Sequence, residues 1–416
     1  MGGSTVQEVT SVGAEVTATL TQAQVLALEA ARSRFPGALT QSYIDVASRG
    51  LMPADVPQAA FDHLQQRVLG RADKKAYFET VETARRGVAK LLNAQPHEIA
   101  ASRNVTDGLN MVANGMDWKP GDEVWLCSGV EHPSNLYTWR NLERLGVSVR
   151  DFPASGGEFP IDAVIEAMQA SKSVRVVTVS ATSFVPGFRT DLDRLGQACR
   201  ARGVRLVVDG AQAVGITHID LARTPVDALA LSTQKGLCSV YGMGFLFVRE
   251  AFANTLKPRY LSRFGVDLTG THEADYDTGP ITLQKGALRF ELGNHNFLAA
   301  TLVNRTLPLL NELGTQVIQA HVTALATQLA DGLAALGAPV PMPRPGGRAN
   351  LVSIQSARGP DPVVRLHQHL QSRGVLVAHR RNVVRFSFHF YNAQADVDNA
   401  LVACKEWLAQ HGDSLR

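Results

Sequence analysis

The chain has 416 residues, with 41 Lys and Arg against 38 Asp and Glu, a formal net charge of +3 and 45% hydrophobic residues. That length fits two or three domains with a large core, and the near balance of charge excludes a strongly basic nucleic-acid binder and an acidic disordered chain. A mean hydropathy of −0.04, with no run of ~18 apolar residues, argues against a membrane protein. In chain order, residues 1–19 are small and polar. They lack the basic and apolar regions of a secretory signal, and Val6 breaks a myristoylation pattern that Gly2 would open. A lead-in segment and a cytoplasmic location are expected. Over 22–34, Val25, Leu26, Leu28 and Ala31 recur at helical spacing before Pro36-Gly37. A short strand is expected over 43–47, and amphipathic helices over 57–69 and 80–92.

A regular alternation then begins. Strand-like runs at 123–127, 148–152, 174–180, 204–208, 228–231 and 244–248 are interleaved with helix-like runs at 135–145, 161–170 and 192–202. This predicts an α/β fold with a mostly parallel sheet flanked by helices. Past 252 the texture changes. Residues 256–281 are irregular, helices are expected over 297–313, 317–336 and 394–411, and strands over 351–355, 376–378 and 383–388. The expected organisation is a lead-in and helix over 1–38, a large domain over 39–300 and a smaller α+β domain over 301–416. The four cysteines, Cys127, Cys199, Cys238 and Cys404, form no Cys-x-x-Cys pair. Neither a disulfide framework nor a zinc knuckle is expected, and no metal site.

Three groups of residues carry chemistry. Asp209 ends an apolar strand and is followed by Gly210-Ala211-Gln212, while Lys235 follows the next strand within Ser232-Thr233-Gln234-Lys235-Gly236. Ligands in open α/β sheets sit beyond the carboxyl ends of strands, so two adjacent strands could aim both side chains into one pocket. A lysine and an acid beside phosphate-binding hydroxyls suit pyridoxal phosphate; a strand-end salt bridge is the plainer alternative. Asn104-Val105-Thr106-Asp107-Gly108 precedes a helix expected over 109–114, as an anion cradle or as a plain cap at Thr106. Glu131-His132-Pro133-Ser134 follows a strand, and His132 could stack on a cofactor or lie in a loop beside a Ser134 cap.

Taken in order, the phosphate turn, the Glu-His loop, Asp209 to Gly215, Ser232 to Lys235 and Arg289-Phe290-Glu291-Leu292-Gly293 resemble the class V aminotransferase family. These are fold type I pyridoxal phosphate enzymes, and the likeness is to the cysteine desulfurase and isopenicillin N epimerase-like branch. The resemblance implies pyridoxal 5'-phosphate bound by Lys235 as the Schiff-base lysine, with Asp209 on the pyridine nitrogen and Gln212 on the phenolic oxygen. It implies His132 on the ring face, and Val105, Thr106, Ser232 and Gln234 around the phosphate. It implies Asn294 contributed across a homodimer interface. It implies that Arg385, in the strand over 383–388, takes the substrate carboxylate, a role its planar guanidinium suits, where the residue alone could equally face solvent from an edge; Ser48, Phe184 and His379 would line the substrate side. Neither nucleic acid nor a membrane is implied as partner. The branch's nucleophilic cysteine is missing from 375–382, so a persulfide mechanism is disfavoured. The reaction expected is an external aldimine and α-carbanion leading to β-elimination of a C–S bond in a cysteine-derived amino acid. Epimerisation, transamination or decarboxylation are the alternatives, and a scaffold that binds cofactor without turnover is the rival from another class.

Overall fold

The structure, a computed structural model, describes residues 20–268 and 279–416. The lead-in over 1–19 and part of the irregular 256–281 stretch lie outside the described residues. After β1 (Ser42–Tyr43), seven strands build the main sheet: β2 (Ile99–Ser102), β3 (Glu123–Leu126), β4 (Ser148–Asp151), β5 (Val174–Ser180), β6 (Arg205–Asp209), β7 (Ala228–Ser232) and β8 (Gly244–Val248). Their order is β2-β8-β7-β6-β5-β3-β4. The pairs from β7 to β4 are parallel, and β8 runs antiparallel to both its neighbours. Every residue of β7 and β8 is buried, which is why both read as unbroken apolar runs rather than alternating ones.

The C-terminal part adds β9 (Leu351–Gln355), β10 (Val375–Leu376), β11 (Ala378–Arg380) and β12 (Val383–Ser387). Strands β11, β12 and β9 form an antiparallel sheet with β12 in the centre. Strand β10 pairs in parallel with β1. The chain beyond β1 then reaches β12: Ser387 N–H donates to Ile44 O (2.9 Å), and Asp45 bridges Ser387. Arg32, at the end of the first helix, donates to Tyr391 O and Asp396. The segment before residue 48 is thus sewn to the C-terminal sheet, and a single apolar core runs under both sheets.

Three expectations changed. The strand expected over 43–47 pairs as a ladder only over Ser42–Tyr43. The helix expected over 297–313 is two helices, Phe297–Val303 and Leu307–Leu313. Pro308 opens the second, and the Thr306 hydroxyl between them donates to Leu237 O (2.6 Å). Helix Asp361–Ser372 and strand β2 had not been expected: Pro360 and Pro362 look like loop residues although one precedes the helix and the other opens it, and Ile-Ala-Ala-Ser is too short and small to stand out.

Candidate active site

Beyond the carboxyl ends of the parallel strands lies a cavity of about 270 Å³. Strands β6 and β7 pair with Asp209 opposite Ala230. Asp209 closes β6, and Lys235 follows the end of β7 by three residues, so register alone brings both to the same rim. Asp209 is 3% exposed. Its Oδ1 accepts from Ala211 N–H (2.8 Å), and no donor among the described residues reaches Oδ2. Burial raises this carboxyl, opposed by the Ala211 hydrogen bond and the charge of Lys235. Among the described residues, the Lys235 amine has no hydrogen-bond or ion-pair partner. Burial brings it down to about 8, with Asp209 opposing and the charges of Arg385 and Arg380 adding. The strand-end salt bridge does not form: the two side chains face one cavity unpaired.

At one end, helix Val105–Gly115 points its N-terminus into the cavity. Its cap is Asn104, whose side chain accepts from Asp107 N–H (2.9 Å), which corrects the cap expected at Thr106. Thr106 lies in the first turn, and among the described residues neither its hydroxyl nor that of Ser232 has a hydrogen-bond partner. Uncommitted N–H groups, the positive end of the helix dipole and two free hydroxyls make an anion site.

His132 lies past β3 on the cavity wall. It is itself the N-cap of helix Pro133–Arg140, replacing the Ser134 cap expected: Nδ1 accepts from Ser134 N–H (3.1 Å). That fixes the proton on Nε2 in the neutral ring. Burial and the charges of Lys235, Arg385 and Arg380 push its pKa down to about 4. Behind it, the buried Glu131 accepts from Ser180 N–H (2.7 Å) and Asn135 Nδ2 (2.9 Å). Burial pushes its carboxyl up to about 7 against those hydrogen bonds. Gln212 Nε2 donates one hydrogen to Ala47 O (3.1 Å), which leaves a second free.

The other end is built from β12 and the loops around it. Arg385 is 1% exposed and occupies the central strand, so the solvent-facing edge position is excluded. Its Nη1 donates to Phe184 O (3.0 Å), its guanidinium lies 4.7 Å over the Phe184 ring, and its Nε is buried without a partner. Phe184 meets His132 edge to face at 4.9 Å. Ser48 and Arg380 complete this end, with Arg380 Nη2 donating to Ser48 Oγ (3.2 Å).

The cavity therefore gathers Ser48, Val105, Thr106, His132, Phe184, Asp209, Gln212, Ser232, Gln234, Lys235 and Arg385. Two further residues lie outside this cavity: His379, expected to line it, and Asn294, expected to reach the cavity of a partner copy. His379 sits opposite Val384, alternate to Ala378 and Arg380, and faces away to pack on His367 (4.7 Å). Asn294, in the left-handed region at φ 45°, lines a separate hollow with Gly293 and His295. Asn104 and Ser134, from the two motifs, also line the cavity, and so do Ser180 and Tyr241, which had not been singled out. Tyr241 follows no strand end and carries no motif, so nothing local could have marked it. All four cysteines are buried and none lines the cavity.

The family model for aminotransferase class-V matches residues 63–400. A Bacillus subtilis (strain 168) protein named as uncharacterized aminotransferase YcbU is 26% identical over 370 residues, covering 89% of this chain and 95% of its own. A probable cysteine desulfurase of Pyrococcus abyssi is 27% identical over 398 residues, covering 88% and 95%. Among solved structures, the apo cysteine desulfurase of Thermococcus onnurineus NA1 superposes with a TM-score of 0.80 at 23% identity, covering 92% and 98%. The cystine C-S lyase C-DES, in complex with cysteine persulfide, gives 0.79 at 22%, covering 89% and 99%. At such identities these likenesses speak for the fold, which is that of fold type I pyridoxal phosphate enzymes. This chain belongs to the aminotransferase class-V family.

The family's cofactor, and that of this chain, is pyridoxal 5'-phosphate, and the cavity fits it on its own terms. It offers an unpartnered lysine, a buried carboxylate with one oxygen uncommitted, and an anion site of helix N–H groups and free hydroxyls. Those are the three donor sets an aldehyde, a protonated ring nitrogen and a phosphate require.

Proposed function

We propose that this chain is a C–S lyase that performs β-elimination on a cysteine-derived amino acid. The observation that carries this reading is the convergence of unpaired Lys235, buried Asp209 and buried Arg385 on one cavity whose other walls hold no thiol. Bound pyridoxal phosphate supplies an electron-withdrawing ring that stabilises negative charge left on the substrate Cα. Lys235 Nζ would anchor the aldehyde and serve as the base for the Cα proton, since its depressed pKa keeps the free amine populated near neutrality. Asp209 Oδ2 would hold a proton on the ring nitrogen, His132 and Gln212 would contact the ring, and Val105, Thr106, Ser232 and Gln234 would hold the phosphate. Arg385 grips the α-carboxylate through its unpartnered Nε and a free Nη, while Phe184 and Ser48 bound the side chain. The electron pair of the broken Cα–H bond would form Cα=Cβ as the sulfur leaves Cβ with its bonding pair as thiolate, and water would hydrolyse the resulting enamine to pyruvate and ammonia.

The same reading assigns a homodimer in which Asn294 of each copy completes the partner's phosphate site, a division into domains near residue 300, and a cytoplasmic location. A persulfide route is disfavoured, because burial raises the cysteine thiols, to about 11 for Cys127 and about 12 for Cys404. The test is to incubate holoenzyme with S-substituted cysteines and assay pyruvate and thiol in equal amounts. No pyruvate from any of them sinks the lyase reading. Solvent deuterium entering Cα without net product would replace it with epimerisation.

A further inference from the structure

The substrate end of the cavity carries two guanidinium groups where one α-carboxylate needs only one. In the β11–β12 ladder Arg385 lies opposite Ala378, and Arg380 is two residues beyond Ala378. Directly opposed residues share a face and alternate residues share it too, so Arg380 and Arg385 are diagonal neighbours on the side that faces the cavity. Both line it. Like charges so placed repel, and no carboxylate among the described residues forms an ion pair with either.

The charged groups facing the pair are Lys235, Asp209 and Asp45. The first two are committed to the cofactor. Asp45 lies near enough to both arginines to feel their charge but does not line the cavity, and keeps Oδ1 buried without a partner. Burial raises its carboxyl, opposed by Ser48 and by the charges of both arginines. It offsets part of their charge but accepts no hydrogen bond from them. Of its five N–H donors, Arg380 spends one on Ser48 Oγ and one on His379 O (2.7 Å). Those two bonds tether an otherwise exposed side chain over the cavity mouth, with the rest of the fork uncommitted.

We propose that the amino acid taken by this site carries a second anionic group at the end of its side chain, a carboxylate or a sulfur oxyacid, held by Arg380 while Arg385 holds the α-carboxylate. This rests on the cofactor-dependent reading above and narrows its substrate class. Arg380 is thereby a specificity residue, at the end of β11 in the stretch where the related branch would place a nucleophilic cysteine.

The experiment measures dissociation constants of cofactor-loaded enzyme by isothermal titration calorimetry for matched pairs: L-aspartate with L-asparagine and L-glutamate with L-glutamine. L-Cysteate forms the sulfur arm. Each acid is expected to bind at least about 10-fold tighter than its amide, or about 1.4 kcal/mol. Whether cysteate or the dicarboxylates bind tighter identifies the anion. Arg380→Gln is expected to collapse the acid-to-amide ratio to near one, Arg380→Lys to restore part of it, and Arg385→Gln to weaken every ligand. Equal binding of acid and amide, or a preference that survives Arg380→Gln, overturns the proposal alone. Failure of every amino acid to bind the loaded enzyme overturns the functional reading and the proposal with it.

Discussion

Gly215 closes the Asp209 to Gly215 turn at φ +86°, and a Cβ built there would stand 2.4 Å from the Gly236 carbonyl oxygen. Two costs separate cleanly. A side chain in the left-handed region costs about 1–2 kcal/mol. Relieving the clash requires the facing backbone to retreat by about 1 Å, which adds about 1–3 kcal/mol by analogy with overpacked cores. That backbone belongs to the residue after Lys235, so the displacement also moves the amine. Gly203 is the internal control: its φ is +68°, and nothing lies within 4 Å of its Cβ position. Gly203→Ala should therefore lower the melting temperature slightly and leave cofactor affinity alone. Gly215→Ala should lower it two to three times as far and weaken cofactor retention by at least about 10-fold, as a ~1 Å misplacement of a reacting group would. Differential scanning calorimetry and the visible absorbance of dialysed protein measure the two effects. Equal losses for the two variants, with cofactor retained in both, would refute the reasoning.

Other outcomes follow from the same geometry. Arg85 and Glu291 form a buried ion pair at 2.8 Å, and Glu291 also accepts from Ala101 N–H (2.7 Å). Glu291→Ala should destabilise the fold by about 1–3 kcal/mol, because it leaves the Ala101 N–H without its acceptor while Arg85 keeps the half-exposed Glu82 as a partner (3.0 Å); removing Glu82 as well should leave the Arg85 charge unpaired and raise the loss to about 3–5 kcal/mol, which chemical denaturation measures. Because Lys235 titrates near 8 rather than 10.5, its amine is free between those values while an ordinary lysine is still protonated. The rate at which apoprotein captures pyridoxal phosphate should rise through a midpoint near pH 8, move upward in Arg385→Gln, and contradict the account if the midpoint is above 10. The four buried cysteines should resist iodoacetamide in native protein at pH 8, and replacing Cys404 with Ala should leave turnover intact. Rapid alkylation coupled to loss of activity would reopen a thiol mechanism.

The order of elements from 123 to 248 was legible because buried parallel strands are nearly pure apolar runs: those at 174–180 and 244–248 match β5 and β8 end to end. Asp209 and Lys235 could be paired in advance because the rule about strand carboxyl ends needs only chain order and adjacency. What could not be seen depends on register and diagonal contact. His379 and Arg380 are neighbours in sequence, yet alternation on β11 sends one to His367 and the other to the cavity. Arg385 looked equally suited to an edge strand, and its burial comes from β9 and β11 closing on both sides. The caps at Asn104 and His132 were displaced by two residues from Thr106 and Ser134, since Ser, Thr and Asn all cap well and propensity alone does not choose among them.

The most direct measurement is reduction of the purified, coloured protein with borohydride followed by peptide mass spectrometry. The account predicts a single pyridoxyl-phosphate adduct on the peptide containing Lys235, with colour and adduct both lost in Lys235→Ala. An adduct on another lysine, or an unmodified Lys235 in fully loaded protein, would contradict it.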